Sequence, residues 1–291
     1  MTTPTQQILL RGRNFTVVPT RHWGRWIAAA LILAAFVVGV AVFLQADIDF
    51  GLVLSSLTLP LVLKGLGGTI LLTFASMAVG IVLGTVVAVA NQSRNPVVRG
   101  AAVLWIFFFR GVPALVQMLL WFNLALVLPV IQLPFIEPIQ TNQLITPLLA
   151  ALLGLGLSES AVMAEIVRGG ILSVDKGQTL AAQSIGMSPM KTMRRIVLPQ
   201  AIKVIIPPTG NETINMLKFS SLAFVVAYLE LLSAAARIYT NNLKVIELLL
   251  TATIWYLVLT VIFSTVQYFI ERRLAQRNSG RRKLKTAESD D

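Results

Sequence analysis

Long apolar runs decide what this chain can become. Several stretches exceed the roughly 20 apolar residues that cross a bilayer core. In hydrocarbon every backbone N–H and C=O must find a partner inside the protein, which leaves helices and closed barrels. Continuous runs of this length are a helix signal, because barrel strands are about ten residues long and alternate. Charged residues make up only 13% of the 291, and hydrophobic ones 56%, against about 25% charged in a soluble domain. The composition argues against a soluble enzyme, a disordered chain or a fibrous protein. It predicts an all-α polytopic membrane protein.

Six spans are expected, at about Trp26 to Leu44, Leu66 to Ala90, Ala101 to Ile131, Leu144 to Val167, Ile202 to Leu232 and Ile246 to Ile270. Phe50 to Leu63, with Pro60 inside, reads as an interfacial segment or the lead-in to the second span. Most of the 24 Lys and Arg residues then fall on one side. Arg11, Arg13, Arg21 and Arg25 precede the first span, and Arg94 and Arg99 follow the second. Arg168, Lys176, Lys191, Arg194, Arg195 and Lys203 surround the 4–5 connection, and seven more basic residues form the tail. The other side has Lys64, Arg237 and Lys244. The positive-inside rule makes both termini cytoplasmic, and the net charge of +11 needs no nucleic acid to explain it. The first span has the basic lead of a signal peptide. Its length and the lack of a small-x-small site after Leu44 favour an uncleaved helix. Asn278 to Asp291 reads as a polar, disordered tail.

The available chemistry is narrow. There is no cysteine and one histidine, His22, so disulfides, thiolates and multi-histidine metal sites are excluded. A Ser/His/Asp set has no basis for the same reason. The chain has no G-x-x-x-x-G-K-[ST] phosphate loop.

The 4–5 connection is out of character. Gln178 to Ile185 reads as a short helix, Gly186 as its stop, and Ser188-Pro189 as the start of a second helix. Pro199 is expected to end or kink that second helix. Ala181 and Ala182 give the short helix almost no side chain, so its backbone can lie in a groove on another protein. A surface loop on lipid headgroups is the alternative.

The spacing Leu180-Ala181-Ala182, three residues, Gly186, nine residues, Ile196, one residue, Leu198-Pro199 resembles the cytoplasmic Glu-Ala-Ala signature of permease subunits of bacterial ABC importers. One identity departs: the family's Glu is Leu180. Phe109-Arg110-Gly111-Val112-Pro113, Glu165-Ile-Val-Arg168-Gly-Gly, Lys176-Gly177-Gln178, Asn211-Glu212 and Lys218-Phe-Ser-Ser221-Leu are similar to the polar-amino-acid subfamily. There too Phe219 replaces the usual acidic residue. The resemblance covers about Gly65 to Leu274.

What it implies is a five-helix type I importer core plus one N-terminal helix, in the bacterial cytoplasmic membrane. Implied segments are 1–25 (N-terminal), 26–64 (added helix and outer connection), 65–273 (permease domain) and 274–291 (tail). Implied partners are a cytoplasmic ATPase dimer holding ATP and Mg, a second permease subunit identical or paralogous, and an extracytoplasmic amino-acid-binding protein. This chain would hold no cofactor. ATP binding would move the short helix as a lever and switch the pathway. The resemblance makes Gly177, Gln178, Leu180, Ala181, Ala182, Gly186, Ile196, Leu198 and Pro199 the ATPase-coupling set. Leu180 then means either a compensating contact in the ATPase or a degenerate member of a heterodimer.

Charged groups within spans are costly, so Arg110, Glu159, Glu165, Glu212, Lys218 and Glu230 should face protein or water. Asn211, Asn215 and Lys218 recur on one face of span five. With Ser158, Glu159, Glu212 and Ser221 they form a candidate substrate pathway, or else an ion-pair network binding spans four and five. Arg110 is expected to meet carbonyls freed by the break at Gly111 and Pro113. Glu165 and Arg168 are taken as structural, and Gly80-x-x-x-Gly84 as a helix contact. The rival functional readings are an autonomous secondary transporter using buried carboxylates and a non-transporting assembly partner.

Overall fold

The computed structural model describes residues 23–45, 47–132 and 137–287. The expected basic lead, Arg11 to His22, lies outside them. The chain divides into two units, residues 1–48 and 49–291. In the first, helix α1 (Trp23–Leu44) is apolar enough to span, and no residue of its apolar window is buried.

The second unit begins with a short helix, α2 (Phe50–Ser56), capped by Asp49, whose carboxylate accepts from the Leu52 N–H at 2.9 Å. Pro60 opens α3 (Pro60–Asn91), so Phe50 to Leu63 is both a separate helix and the first turn of the second span. Asn95 caps α4 (Pro96–Gly111), which is followed by α5 (Ala114–Phe122). The two cross at 96°. Pro113 drives Val112 into extended backbone (φ −95, ψ 128), so the third span is not the single helix to Ile131 that was expected. A two-stranded hairpin, β1 (Val130–Ile131) with β2 (Ile139–Gln140), follows. The helical turn α6 (Thr141–Leu144) comes next, and then α7 (Pro147–Leu172), capped by Thr146.

Helix α8 (Lys176–Ser184) and α9 (Pro189–Thr192) make the 4–5 connection. A π turn over Met193–Val197 then runs directly into α10 (Leu198–Phe219). Pro199 neither ends nor kinks the chain here. It lies at the junction of the π turn with α10, where the Leu198 N–H still bonds to Met193 O, and the wider turn carries the backbone past the proline in helical form. Span five is also shorter than expected. A 3₁₀ stretch (Ser220–Val226) and a left-handed Ala227 (φ 58) lead into α11 (Leu231–Asn242), bent by 45°. The last helix, α12 (Val245–Ala287), continues through the basic run expected to be disordered. Six of residues 278–287 are Lys, Arg, Leu or Ala, good helix formers, and extending an existing helix needs no new nucleus.

Four described helices are long and apolar enough to span, or up to six if each bent pair is one span. Their centre is α7. Sixty-one per cent of its apolar window is buried, against 33% for α3 and 28% for α12. Glycines let its neighbours come close. A Cβ on Gly84 of α3 would stand 2.6 Å from the Met163 Cβ and 2.7 Å from the Ser160 carbonyl. A Cβ on Gly154 would meet the Met118 backbone of α5 at 2.8 Å. The expected Gly80/Gly84 contact is therefore the α3–α7 seam. Around it Leu72, Met77, Met118, Leu155 and Met163 are buried together. A second cluster, Val62, Leu231, Ala235, Leu248 and Ala252, joins α3, α11 and α12.

Candidate functional site: an intramembrane carboxylate pair and an exposed connecting helix

At the helix break, two side chains meet the backbone oxygens. Gln117 donates through Nε2 to the carbonyls of Phe109 (3.1 Å) and Val112 (2.8 Å), and the Ser158 hydroxyl reaches Phe109 O at 3.4 Å. Arg110 does not fill its expected role. It is exposed and makes no hydrogen bond among the described residues. The sign that would have found Gln117 is a lone amide in the apolar run Ala114 to Phe122, one turn after Pro113.

Glu159 faces α3. Its Cγ lies 2.5 Å from where a Gly80 Cβ would be, it is 5% exposed, and its Oε1 has no partner. Its neighbour Ser160 accepts from the Trp105 indole N–H at 3.0 Å. From α10, half-buried Glu212 is close enough for the two carboxylates to repel. Asn215 and Ser221 are also half-buried, whereas Asn211 and Lys218 are exposed. The described ion pairs are Arg168 with Glu165 (2.6 Å) and Lys244 with Glu247 (3.4 Å). Neither involves Glu159, Glu212 or Lys218. Glu165 and Arg168 pair within one helix, three residues apart.

Glu230 is fully buried and satisfied. It caps α11, accepting from the N–H groups of Leu232 (2.8 Å) and Ser233 (2.6 Å) and from the hydroxyls of Ser233 (2.8 Å) and Tyr256 (2.6 Å). It holds the 227–230 corner against α3, where the Leu231 N–H reaches Thr69 Oγ1 at 3.1 Å and Tyr228 donates to Gly68 O at 3.2 Å. Among the described residues no cluster of His, Cys, Asp or Glu could hold a metal ion.

The 4–5 connection is an ordered pair of short helices. Asp175 caps α8 through the Gly177 N–H at 2.5 Å. Gly186, at φ +81, stops it, and the Met187 N–H returns to Ala182 O at 3.1 Å. The two alanines do not share a role. Ala181 is exposed, but Ala182 is only 5% exposed. The outward face carries Leu180, Ala181, Ser184 and Ile185, with Gly177, Gln178, Gly186 and Pro199 exposed as well. Leu198 is exposed and Ile196 half-buried.

Residues 80–276 match the model of the binding-protein-dependent transport system inner membrane component family. The chain belongs to this family. The permease is 42% identical over 256 residues to the arginine transport system permease protein ArgU of Corynebacterium glutamicum, covering 87% of this chain and 81% of that one. It is 38% identical over 217 residues to the probable amino-acid permease protein YxeN of Bacillus subtilis, covering 75% and 92%. The fold is similar to a solved amino acid ABC transporter crystallised with histidines. That match has a TM-score of 0.68 and 34% identity, over 78% of this chain and all of the other. The permease is thus the membrane subunit of an amino-acid ABC importer, and the autonomous-transporter reading falls away.

Proposed function

We propose that this permease carries a cationic amino acid, of the arginine type, and that Glu159 and Glu212 receive its positive charge. One observation carries the reading: a carboxyl group 5% exposed, with an oxygen unpartnered, lies within electrostatic reach of Glu212. A buried carboxyl with no partner takes up a proton rather than bear the cost of an unpaired charge, and a passing cation favours its ionised form by pairing with it. The basic candidates, Arg110 and Lys218, are both exposed, so the opposing charges are not equally placed. The arginine transport role of ArgU points the same way. Asn211, Asn215 and Ser221 would line the path beside the two carboxylates.

The rest of the assembly follows the family pattern. The end of the bundle bearing α8 is cytoplasmic, and the outward face of α8 meets an ATPase dimer that holds ATP and Mg. A second permease subunit completes the pathway, and an extracytoplasmic binding protein delivers cargo. Residues 65–273 form the permease domain proper.

The test is uptake of labelled arginine and glutamine by cells expressing the intact transporter, with Glu159→Gln and Glu212→Gln. Each should lower arginine uptake at least tenfold, a loss of about 1.4 kcal/mol, with the protein still inserted. Undiminished arginine uptake in both variants would refute the assignment.

A further inference from the structure

Four large exposed apolar residues sit on the 4–5 connection: Leu180 is 63% exposed, Ile185 79%, Met190 70% and Met193 36%. Leu180 and Ile185 lie on the outward face of α8, and Met190 follows at the start of α9. Beside Met190 a cleft of about 480 Å³ is lined by Met190, Lys191, Arg194 and Arg195. All three basic side chains are exposed, and among the described residues no carboxylate pairs with them. The one acidic residue of the connection, Asp175, is occupied in capping α8. The connection therefore exposes both apolar and unpaired cationic side chains. Where related permeases carry a Glu on the short helix, this one carries Leu180.

We infer that the ATPase groove receiving this connection has an apolar floor for Leu180, Ile185 and Met190, and a carboxylate rim that pairs with Lys191, Arg194 and Arg195. The inference rests on the permease–ATPase reading above and adds the chemistry of the joint. Its charge pattern is the inverse of a joint built on a permease Glu. Apolar side chains left in water are the mark of a protein contact. Unpaired guanidinium groups at the edge of such a contact select an acidic partner and speed its arrival. An ATPase whose groove offers a base for the usual Glu would find Leu180 there and leave that base unpaired. The joint thus discriminates between ATPases as well as binding one.

The test uses the whole transporter, tagged on the permease and extracted from native membranes in mild detergent. The ATPase retained is identified by mass spectrometry and quantified at rising NaCl. Wild type should hold it at about 0.15 M salt and release it as screening increases. Arg194→Glu with Arg195→Glu should retain about tenfold less, whereas Arg194→Lys with Arg195→Lys should stay near wild type. Leu180→Glu should also lose ATPase. These positions are exposed, so each variant should match wild type in expression and in its elution from size exclusion. A double-Glu variant that keeps its ATPase with an unchanged salt midpoint overturns the proposal. So does one that keeps its ATPase while the reconstituted protein loses a dependence on phosphatidylglycerol, which would give the cleft to the membrane. Wild type with no ATPase, even after crosslinking, would overturn the permease–ATPase reading itself.

Discussion

Gly84→Ala puts a number on the α3–α7 seam. The added methyl would lie 2.6 Å from Met163 Cβ, 2.7 Å from Ser160 O and 3.0 Å from Ala164 N. Ordinary carbon contacts are about 3.5–4.0 Å, so the overlap is near 1 Å. Two of the three atoms are backbone and cannot rotate away. Helix propensity works in the opposite direction, since Ala in a helix is favoured over Gly by about 0.5–1 kcal/mol. Overpacking a tight core costs about 1–3 kcal/mol. The clash wins, leaving a net loss of about 1–2 kcal/mol. Gly67, on the same helix, has nothing within 4 Å of a built Cβ. Gly67→Ala keeps the propensity gain without the clash. Thermal unfolding of the detergent-solubilised permease should therefore drop by several degrees for Gly84→Ala, at about 2–4 °C per kcal/mol, and hold or rise for Gly67→Ala. Equal midpoints for the two variants would refute the close-packed seam.

Three further outcomes follow from the same geometry. Gln117→Leu should destabilise by about 1–3 kcal/mol, because it strips donors from two carbonyls at the helix break. Arg110→Ala should stay within about 0.5 kcal/mol, and thermal melts of the pair check this. Glu230→Ala should cost about 3 kcal/mol or more by leaving the α11 cap and the Tyr256 hydroxyl unpaired, read as loss of folded protein on size exclusion. Ala181→Trp should release the ATPase at unchanged melting temperature. Ala182→Trp should lower the melting temperature as well, since its side chain points into the protein. Identical behaviour of the two tryptophan variants would remove the distinction between the faces of α8.

The spans were legible because hydrocarbon leaves a long apolar run no alternative to a helix. The end of α8 was legible because Gly186 is an unambiguous stop residue, whereas its start falls two residues before the expected Gln178, because Asp175 caps it. The seam at Gly80 and Gly84 showed in its four-residue spacing. What the sequence concealed depended on contacts distant along the chain. Pro113 announced a break, but its angle of 96° and the use of Gln117 to mend it depend on where α7 lies. Ala181 and Ala182 are indistinguishable in composition, and only the return of α9 against α8 buries one of them. Glu230 and Glu159 are both intramembrane acids. Tyr256 and Ser233 satisfy the first, while Gly80 leaves the second without a donor. Arg110 was misjudged because a charge near a break suggests a cap, whereas a neutral amide does that work without the desolvation cost of a guanidinium.

The unbroken helical path from Pro189 to Phe219 has a mechanical consequence. At 1.5 Å per residue, 31 residues reach about 46 Å, so a tilt of about 10° at one end would displace the other by about 8 Å. Partway along, Pro207 and Pro208 delete the rungs to the carbonyls of residues 203 and 204. A rod with two missing rungs bends there before it transmits. Gln267 of α12 lies across that point, filling the space a Gly210 side chain would need and donating to Pro207 O at 3.0 Å. Stiffness that the helix has lost in its own ladder is thus supplied by its neighbour. The proline-weakened stretch of α10 is braced against α12.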